Sequence, residues 1–234
     1  MPCEVPLHYN YLLQSSIYRA LPSELSRRLH RDGFIAGKRR FRLFVFSRLL
    51  GRRMRARDCI LFPEGAVLYV SSPIPAIVRG LVNSLAEAGG LNLNGRRLRL
   101  AGFSFLKDPE IPSGSILVRM LSPVTVYSTV FKADGRRMTY YYSPYEKGFS
   151  ELVDANLRRK CALLGVRCSG SVEVAPIRVR EVAVVYKRAV VRGWCGIFRL
   201  SGPGEMLRVA YETGIGSRNP QGFGMFEVVE CSTR

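Results

Sequence analysis

A chain of 234 residues with 47% apolar and 23% charged side chains can pack a core of one or two domains and is too nonpolar to be disordered. Lys and Arg total 36 against 18 Asp and Glu, a formal charge of +18, and a field of that sign concentrates polyanions. Two function classes drop out early. No apolar run approaches the ~20 residues a membrane span needs, and the scattered cysteines (Cys3, Cys59, Cys161, Cys168, Cys195, Cys231) with only His8 and His30 offer no zinc-ligand spacing.

Arg outnumbers Lys 30 to 6, and the planar guanidinium suits phosphate and base contacts. The charge is also concentrated. Residues 19–57 hold thirteen basic residues against Glu24 and Asp32, a net +11, and the other 195 residues share +7. That is the footprint of a nucleic-acid-binding surface. The N-terminus shows no secretory pattern, so the expectation is a cytoplasmic protein with reduced thiols. Cys161 and Cys168 could pair only in a hyperthermophile-like setting.

In chain order, residues 9–20 read as a helix through Leu12, Leu13, Ile17 and Ala20. Pro22 forbids its continuation and opens a second helix over 22–31, which Gly33 stops. Strands are expected over 41–47 and 65–70, a helix over 75–88 and a strand over 98–106, in the order β-α-β-β-α-β. Residues 107–115 read as a linker. The order then repeats: extended chain over 116–129, a helix over 144–164, a basic hairpin over 172–180 and 182–200, a helix over 204–213 and a strand over 222–229. The expected fold class is α+β, two tandem ferredoxin-like (RRM-like) domains, over residues 1–110 and 116–234.

The strongest local signal is Gly214-Ile215-Gly216-Ser217-Arg218-Asn219-Pro220-Gln221-Gly222-Phe223-Gly224. Such a loop lets another chain approach closely, and free backbone N–H groups beside Arg218 would suit phosphate. The plainer reading is a helix-to-strand turn that needs glycine. It is neither a Walker loop, lacking Gly-Lys-Ser/Thr, nor a dinucleotide fingerprint, because it follows a helix. Arg178, Arg180, Lys187, Arg188 and Arg192 string cations along the hairpin, as an RNA track or as a solvated face. Trp194 reads as a core residue.

The loop resembles the Gly-x-Gly-x-x-x-x-x-Gly-Phe-Gly hallmark of the RAMP superfamily of CRISPR proteins. Ile17-Tyr18, Leu29-His30 ahead of Gly33-Phe34, Phe44-Val45-Phe46-Ser47, residues 121–126, Asn156-Leu157-Arg158-Arg159-Lys160 and Tyr211-Glu212 extend the resemblance to the family of pre-crRNA-processing endoribonucleases. The resemblance implies metal-independent cleavage: a 2′-hydroxyl attacks the adjacent phosphate and leaves a 2′,3′-cyclic phosphate and a 5′-hydroxyl, with no cofactor. It implies catalytic roles for His30 and Tyr18, with Arg42 or the nearby Lys38 where the family carries a lysine. It further implies RNA contacts from Gly214, Gly216, Arg218, Gly222 and Gly224, with Arg39 and Arg40 beside the active site. CRISPR repeat RNA is the implied partner, with effector-complex subunits or a second copy of the chain as further candidates. Read from the residues alone, His30 also fits a surface histidine at a helix end and Tyr18 a core aromatic. Two other readings stay open: a non-catalytic RAMP subunit that binds guide RNA, and a structural RNA-binding protein.

Overall fold

A residue ahead of proline is driven out of the helical region. Leu21 is accordingly extended (φ −71°, ψ 148°), which ends the first helix and lets the second leave in a new direction. The computed structural model describes residues 2–229 apart from Lys38 and Lys132. In it β1 (Cys3–Pro6) is followed by α1 (Asn10–Ala20) and α2 (Ser23–Arg31), then by a short hairpin of β2 (Phe34–Ala36) and β3 (Arg39–Phe41). A long interrupted hairpin runs out through β4 (Val45–Phe46) and β5 (Met54–Arg55) and returns through β6 (Cys59–Phe62) and β7 (Val70–Ser71). β6 also pairs with β1, antiparallel. Then come α3 (Pro75–Ala88), β8 (Gly90–Leu93) and β9 (Arg96–Arg99). The core under this half is built from Leu13, Ile17, Leu29, Phe44, Phe46, Phe62 and Leu81.

The second half holds β10 (Gly114–Met120), a hairpin of β11 (Tyr127–Phe131) and β12 (Arg137–Tyr141), α4 (Lys147–Leu164), β13 (Glu173–Tyr186), β14 (Ala189–Gly202), α5 (Gly204–Thr213) and β15 (Phe226–Val228). Its sheet has the order β13-β14-β10-β15, antiparallel throughout. With the β11–β12 insertion set aside, this is a β-α-β-β-α-β unit whose first and third strands lie in the centre, the ferredoxin-like arrangement. Phe149, Val153, Leu157 and Cys161 of α4 and Met206, Leu207 and Ala210 of α5 cover Val118, Phe198 and Leu200. The chain is therefore α+β with two ferredoxin-like units in tandem. Among the described residues no helix is long and apolar enough to cross a membrane.

Several expected elements differ. The 41–47 strand breaks at Leu43 (φ 50°), where the chain passes from the β2–β3 hairpin to the β4–β7 pairing. The 98–106 strand ends at Arg99, and residues 100–112 run without regular structure. Phe103 and Phe105 alternate as a strand would but stay exposed and outside any sheet. The 116–129 stretch is β10, a buried turn, and the start of the unforeseen β11–β12 hairpin. The long basic hairpin turns at Lys187 (φ 56°), not near residue 181, and its irregularity is a bulge between Pro176 and Arg178. Cys161 and Cys168 are free thiols.

Candidate active site and nucleic-acid interface

His30 lies in the last turn of α2, where the final carbonyls have no helical partner. Arg42 takes them up: its Nε donates to the Leu29 carbonyl (3.2 Å) and its Nη2 to the His30 carbonyl (3.4 Å). Arg40 Nη1 donates to the Arg31 carbonyl at 2.7 Å. Two arginines thus close the α2 C-terminus, and Gly33 makes their approach feasible. At φ +59° it turns the chain back, and a Cβ there would sit 2.6 Å from the Phe41 carbonyl oxygen.

Tyr18, on α1, forms edge-to-face pairs with His30 (centroids 6.1 Å apart) and with Phe44 (5.7 Å). Burial pushes the Tyr18 hydroxyl up to about 12, and the nearby Arg42 guanidinium opposes the shift without reversing it. The hydroxyl is therefore protonated near neutrality and is a hydrogen-bond donor. Tyr18, His30 and Arg42, expected from three separate segments, meet in one place. His30 is exposed, and Tyr18 and Arg42 are half-buried. Arg39 is exposed beside them, and Lys38 lies outside the described residues.

The glycine loop is built differently from an open cradle. Gly214, Gly216, Gly222 and Gly224 are all buried and all have positive φ. The N–H of Gly224 donates to Pro123 (2.9 Å), that of Gly222 to Asn219 (3.1 Å), that of Ile215 to Gly224 (2.9 Å) and that of Ser217 to Thr125 (2.8 Å). Those four groups are spent inside the protein. A Cβ on Gly222 would strike the Phe46 ring at 2.6 Å, so the loop seats on the first half. Asn10 Nδ2 donates across the same seam to the Gln221 (3.4 Å) and Gly222 (3.5 Å) carbonyls.

Lys160, which no charge or spacing argument had singled out, holds the loop from beneath. It is 2% exposed, and its Nζ donates to the Thr213 (3.3 Å) and Gly214 (2.7 Å) carbonyls and to Asn219 Oδ1 (2.8 Å). Asn219 Nδ2 in turn donates to Ile215 and Phe223, each at 3.0 Å. Burial with no carboxylate partner lowers the ammonium to about 7. The available signal was a lysine three residues after Leu157, on the apolar stripe of a helix.

Arg218 (φ 61°) lays its guanidinium 4.9 Å from the Tyr127 ring centroid and donates from Nη1 to Gln221 Oε1 at 3.0 Å. The basic hairpin does not present one track. Arg178 and Arg180 share the face of Val184 and Val191, whereas Arg192 lies on the opposite face, 3.5 Å from Glu181. Lys187 Nζ sits 4.9 Å over the Tyr11 ring of α1, Tyr186 bonds Gln14, and Arg188 is exposed at the tip. The tip is thus a clasp onto the first half. Trp194 packs against the core of the second half and donates to the Tyr142 carbonyl (3.2 Å). Burial raises the Cys195 thiol, and the cations Arg48, Arg180 and Arg53 oppose the shift. Arg48 and Arg53 belong to the basic stretch 19–57 and were not singled out within it.

Two ferredoxin-like units thus stand side by side, the first carrying the Tyr18, His30 and Arg42 cluster. The family description "CRISPR associated protein Cas6, C-terminal" matches residues 106–228, and "CRISPR-associated protein Cas6, N-terminal" matches residues 4–102. The chain is 29% identical over 234 residues to the CRISPR-associated endoribonuclease Cas6 of Pyrococcus furiosus, covering 96% of this chain and 84% of that one. It is 27% identical over 240 residues to CRISPR-associated endoribonuclease Cas6 1 of Methanocaldococcus jannaschii, covering 97% and 88%. A solved structure described as CRISPR associated protein Cas6 superposes with a TM-score of 0.80 at 26% identity, over 97% of this chain and 94% of that one. The chain belongs to the CRISPR-associated Cas6 family.

Proposed function

We propose that the chain is a metal-independent endoribonuclease that cuts CRISPR repeat RNA into guide units. The observation that carries this reading is the meeting of Tyr18, His30 and Arg42 at the end of α2. Attack of a 2′-hydroxyl on the neighbouring phosphate requires a proton acceptor, a donor to the leaving oxygen and a positive charge on the phosphorane. His30 is the exposed imidazole of the cluster, the group able to accept and return a proton. Tyr18, held protonated, donates a hydrogen bond and does not act as a base. Arg42 stabilises charge but is a poor proton donor, so proton transfer falls to His30, and Lys38 is a further candidate for the family's lysine. The products are a 2′,3′-cyclic phosphate and a 5′-hydroxyl.

In this reading Arg39, Arg40, Arg178, Arg180 and Arg218 hold the RNA, with Arg48 and Arg53 added. Lys187 and Arg192 contribute less, because Lys187 lies over Tyr11 and Arg192 faces Glu181, whereas Arg188 stands exposed at the hairpin tip as a further contact. Gly214, Gly216, Gly222 and Gly224 act by shaping the seam that presents Arg218. The units span residues 1–110 and 116–234, the setting is cytoplasmic, and effector-complex subunits or a second copy of the chain are further partners. The test is incubation of labelled repeat RNA with the protein in excess chelator, followed by mapping of the ends. Cleavage that stops when the nucleotide 5′ of the cut is 2′-deoxy is expected. Cutting of that deoxy substrate would refute internal attack, and a wild-type protein that binds repeats without cutting them would favour a guide-binding subunit.

A further inference from the structure

The last four carbonyls of a helix have no partner within it. In α2 they belong to Arg28, Leu29, His30 and Arg31. The chain itself takes up the first, which accepts from the N–H groups of Asp32 (3.0 Å) and Gly33 (2.9 Å). The other three, in unbroken order, accept from only two side chains: Leu29 from Arg42 Nε, His30 from Arg42 Nη2 and Arg31 from Arg40 Nη1. Arg42 Nη1 also donates to the Arg40 carbonyl at 3.4 Å, which ties the two arginines to each other. Arg42 therefore spends three of its N–H groups on backbone oxygens, out of the five that a guanidinium has.

His30 and Arg31 are exposed, so water could meet their carbonyls just as well. Holding two long side chains in one arrangement costs rotamer freedom. What they supply, and water does not, is a fixed position. His30 stands in the last turn of α2, and last turns fray. Its side chain is exposed, and among the described residues the aromatic ring it meets is that of Tyr18. The place of the imidazole thus depends on the backbone of that turn. The support is itself braced: Arg40 lies opposite Ile35 in the β2–β3 hairpin, and β2 rests against α4 of the second half.

We infer that Arg40 and Arg42 are positioning residues that act on the reaction through His30, clamping the last turn of α2 so that the imidazole is held beside Tyr18. The inference rests on the reading of His30 as the group that moves the proton, but the clamp can also be observed without cleavage.

The test uses the full chain with two substitutions. Arg42→Lys keeps the charge and loses the planar fork, and the two side chains are not interchangeable at a forked site. Arg40→Gln shortens the arm that reaches Arg31. Single-turnover cleavage of repeat RNA is measured at saturating protein and one salt concentration, in the wild-type and His30→Ala backgrounds. Displacing a reacting group by about 1 Å costs on the order of 100-fold, so each variant is expected to cut about 10- to 100-fold slower. That loss should vanish in the His30→Ala background, because residues acting through one group are not additive. In the RNA-free proteins, proton–nitrogen spectra of the imidazoles should show a shifted or broadened His30 and an unchanged His8, the only other histidine.

The same slowing in the His30→Ala background overturns the inference, because the arginines would then act on the RNA itself. So does a loss confined to affinity, or a wild-type rate in either variant. A wild-type protein that binds repeats and cuts none removes the nuclease reading and leaves the spectra to decide: a change confined to His30 upholds the clamp, and any other pattern overturns it.

Discussion

Lys160 offers the sharpest physical test of the seam. Its ammonium is enclosed and faces three neutral oxygens, and burial lowers it to about 7 from an ordinary value of 10.5. A base with a depressed pKa in the folded state leaves the unfolded chain holding more protons, so stability must rise with pH between the two values. For values of 7 folded and 10.5 unfolded, the gain between about pH 7 and about pH 8.5 is roughly 1.5 kcal/mol. Cysteine and tyrosine hydroxyl shifts act oppositely and at higher pH, since Cys161 and Tyr18 are each raised to about 12 and lose stability as pH climbs past their unfolded values. The comparison is therefore urea unfolding of wild type and Lys160→Met across that window. Wild type should gain roughly 1.5 kcal/mol more than the variant. The variant should also be less stable overall, by about 3 kcal/mol, because three buried acceptors lose their donor. Parallel pH profiles for the two proteins would refute the account, and would mean that Lys160 stays fully charged in the fold.

Three further outcomes are expected. His30→Ala should slow repeat cleavage by at least about a hundredfold with repeat affinity unchanged at matched salt, and Tyr18→Phe should slow it less; a wild-type rate for His30→Ala would move the active site elsewhere. Gly224→Ala should cost at least about 2 kcal/mol in urea unfolding, because its Cβ would lie 2.0 Å from the Ile215 carbonyl oxygen at φ +82°; an unchanged midpoint with weakened RNA binding would instead make the loop an exposed phosphate cradle. Replacing Arg178 and Arg180 together with Ala should flatten the log–log salt dependence of single-stranded RNA binding by about 0.7 for each phosphate deprived of its cation, whereas Arg192→Ala, already paired with Glu181, should change it little; equal effects would mean that RNA touches both faces of the hairpin.

The architecture was legible where one element reports on itself. Pro22 and Gly33 mark the ends of α2, and the stripe from Phe149 to Cys161 marks the buried face of α4. The fold class, a doubled β-α-β-β-α-β order, follows from such local marks. Pairing between distant segments was less legible. Phe103 and Phe105 alternate like a strand but face solvent, because alternation says nothing about whether an edge is free to receive them. The hairpin strands were expected over 172–180 and 182–200, but the first continues to Tyr186 because the far ends of the pair leave the sheet and bury Val184 and Val191 against Phe223. Tyr18 and His30 were singled out by family resemblance, and spacing alone left them ambiguous. Lys160 was legible in principle as a charge on an apolar stripe. What it does there depends on Thr213, Gly214 and Asn219, more than fifty residues downstream.

The seam between the halves is fastened at three separated points. Gly222 lies against Phe46, the Lys187 tip lies on Tyr11, and the Arg48 N–H donates to the Leu121 carbonyl at 3.0 Å. Three such anchors oppose a swing of one half against the other. In the proposed reading, an RNA strand gripped by Arg178, Arg180 and Arg218 on one half and cut beside His30 on the other is measured against a fixed gauge. The number of nucleotides between grip and cut becomes a property of the folded protein. Lengthening the irregular 100–112 connection should leave it unchanged, whereas loosening the clasp at Tyr11 should blur it into a ladder of neighbouring cuts.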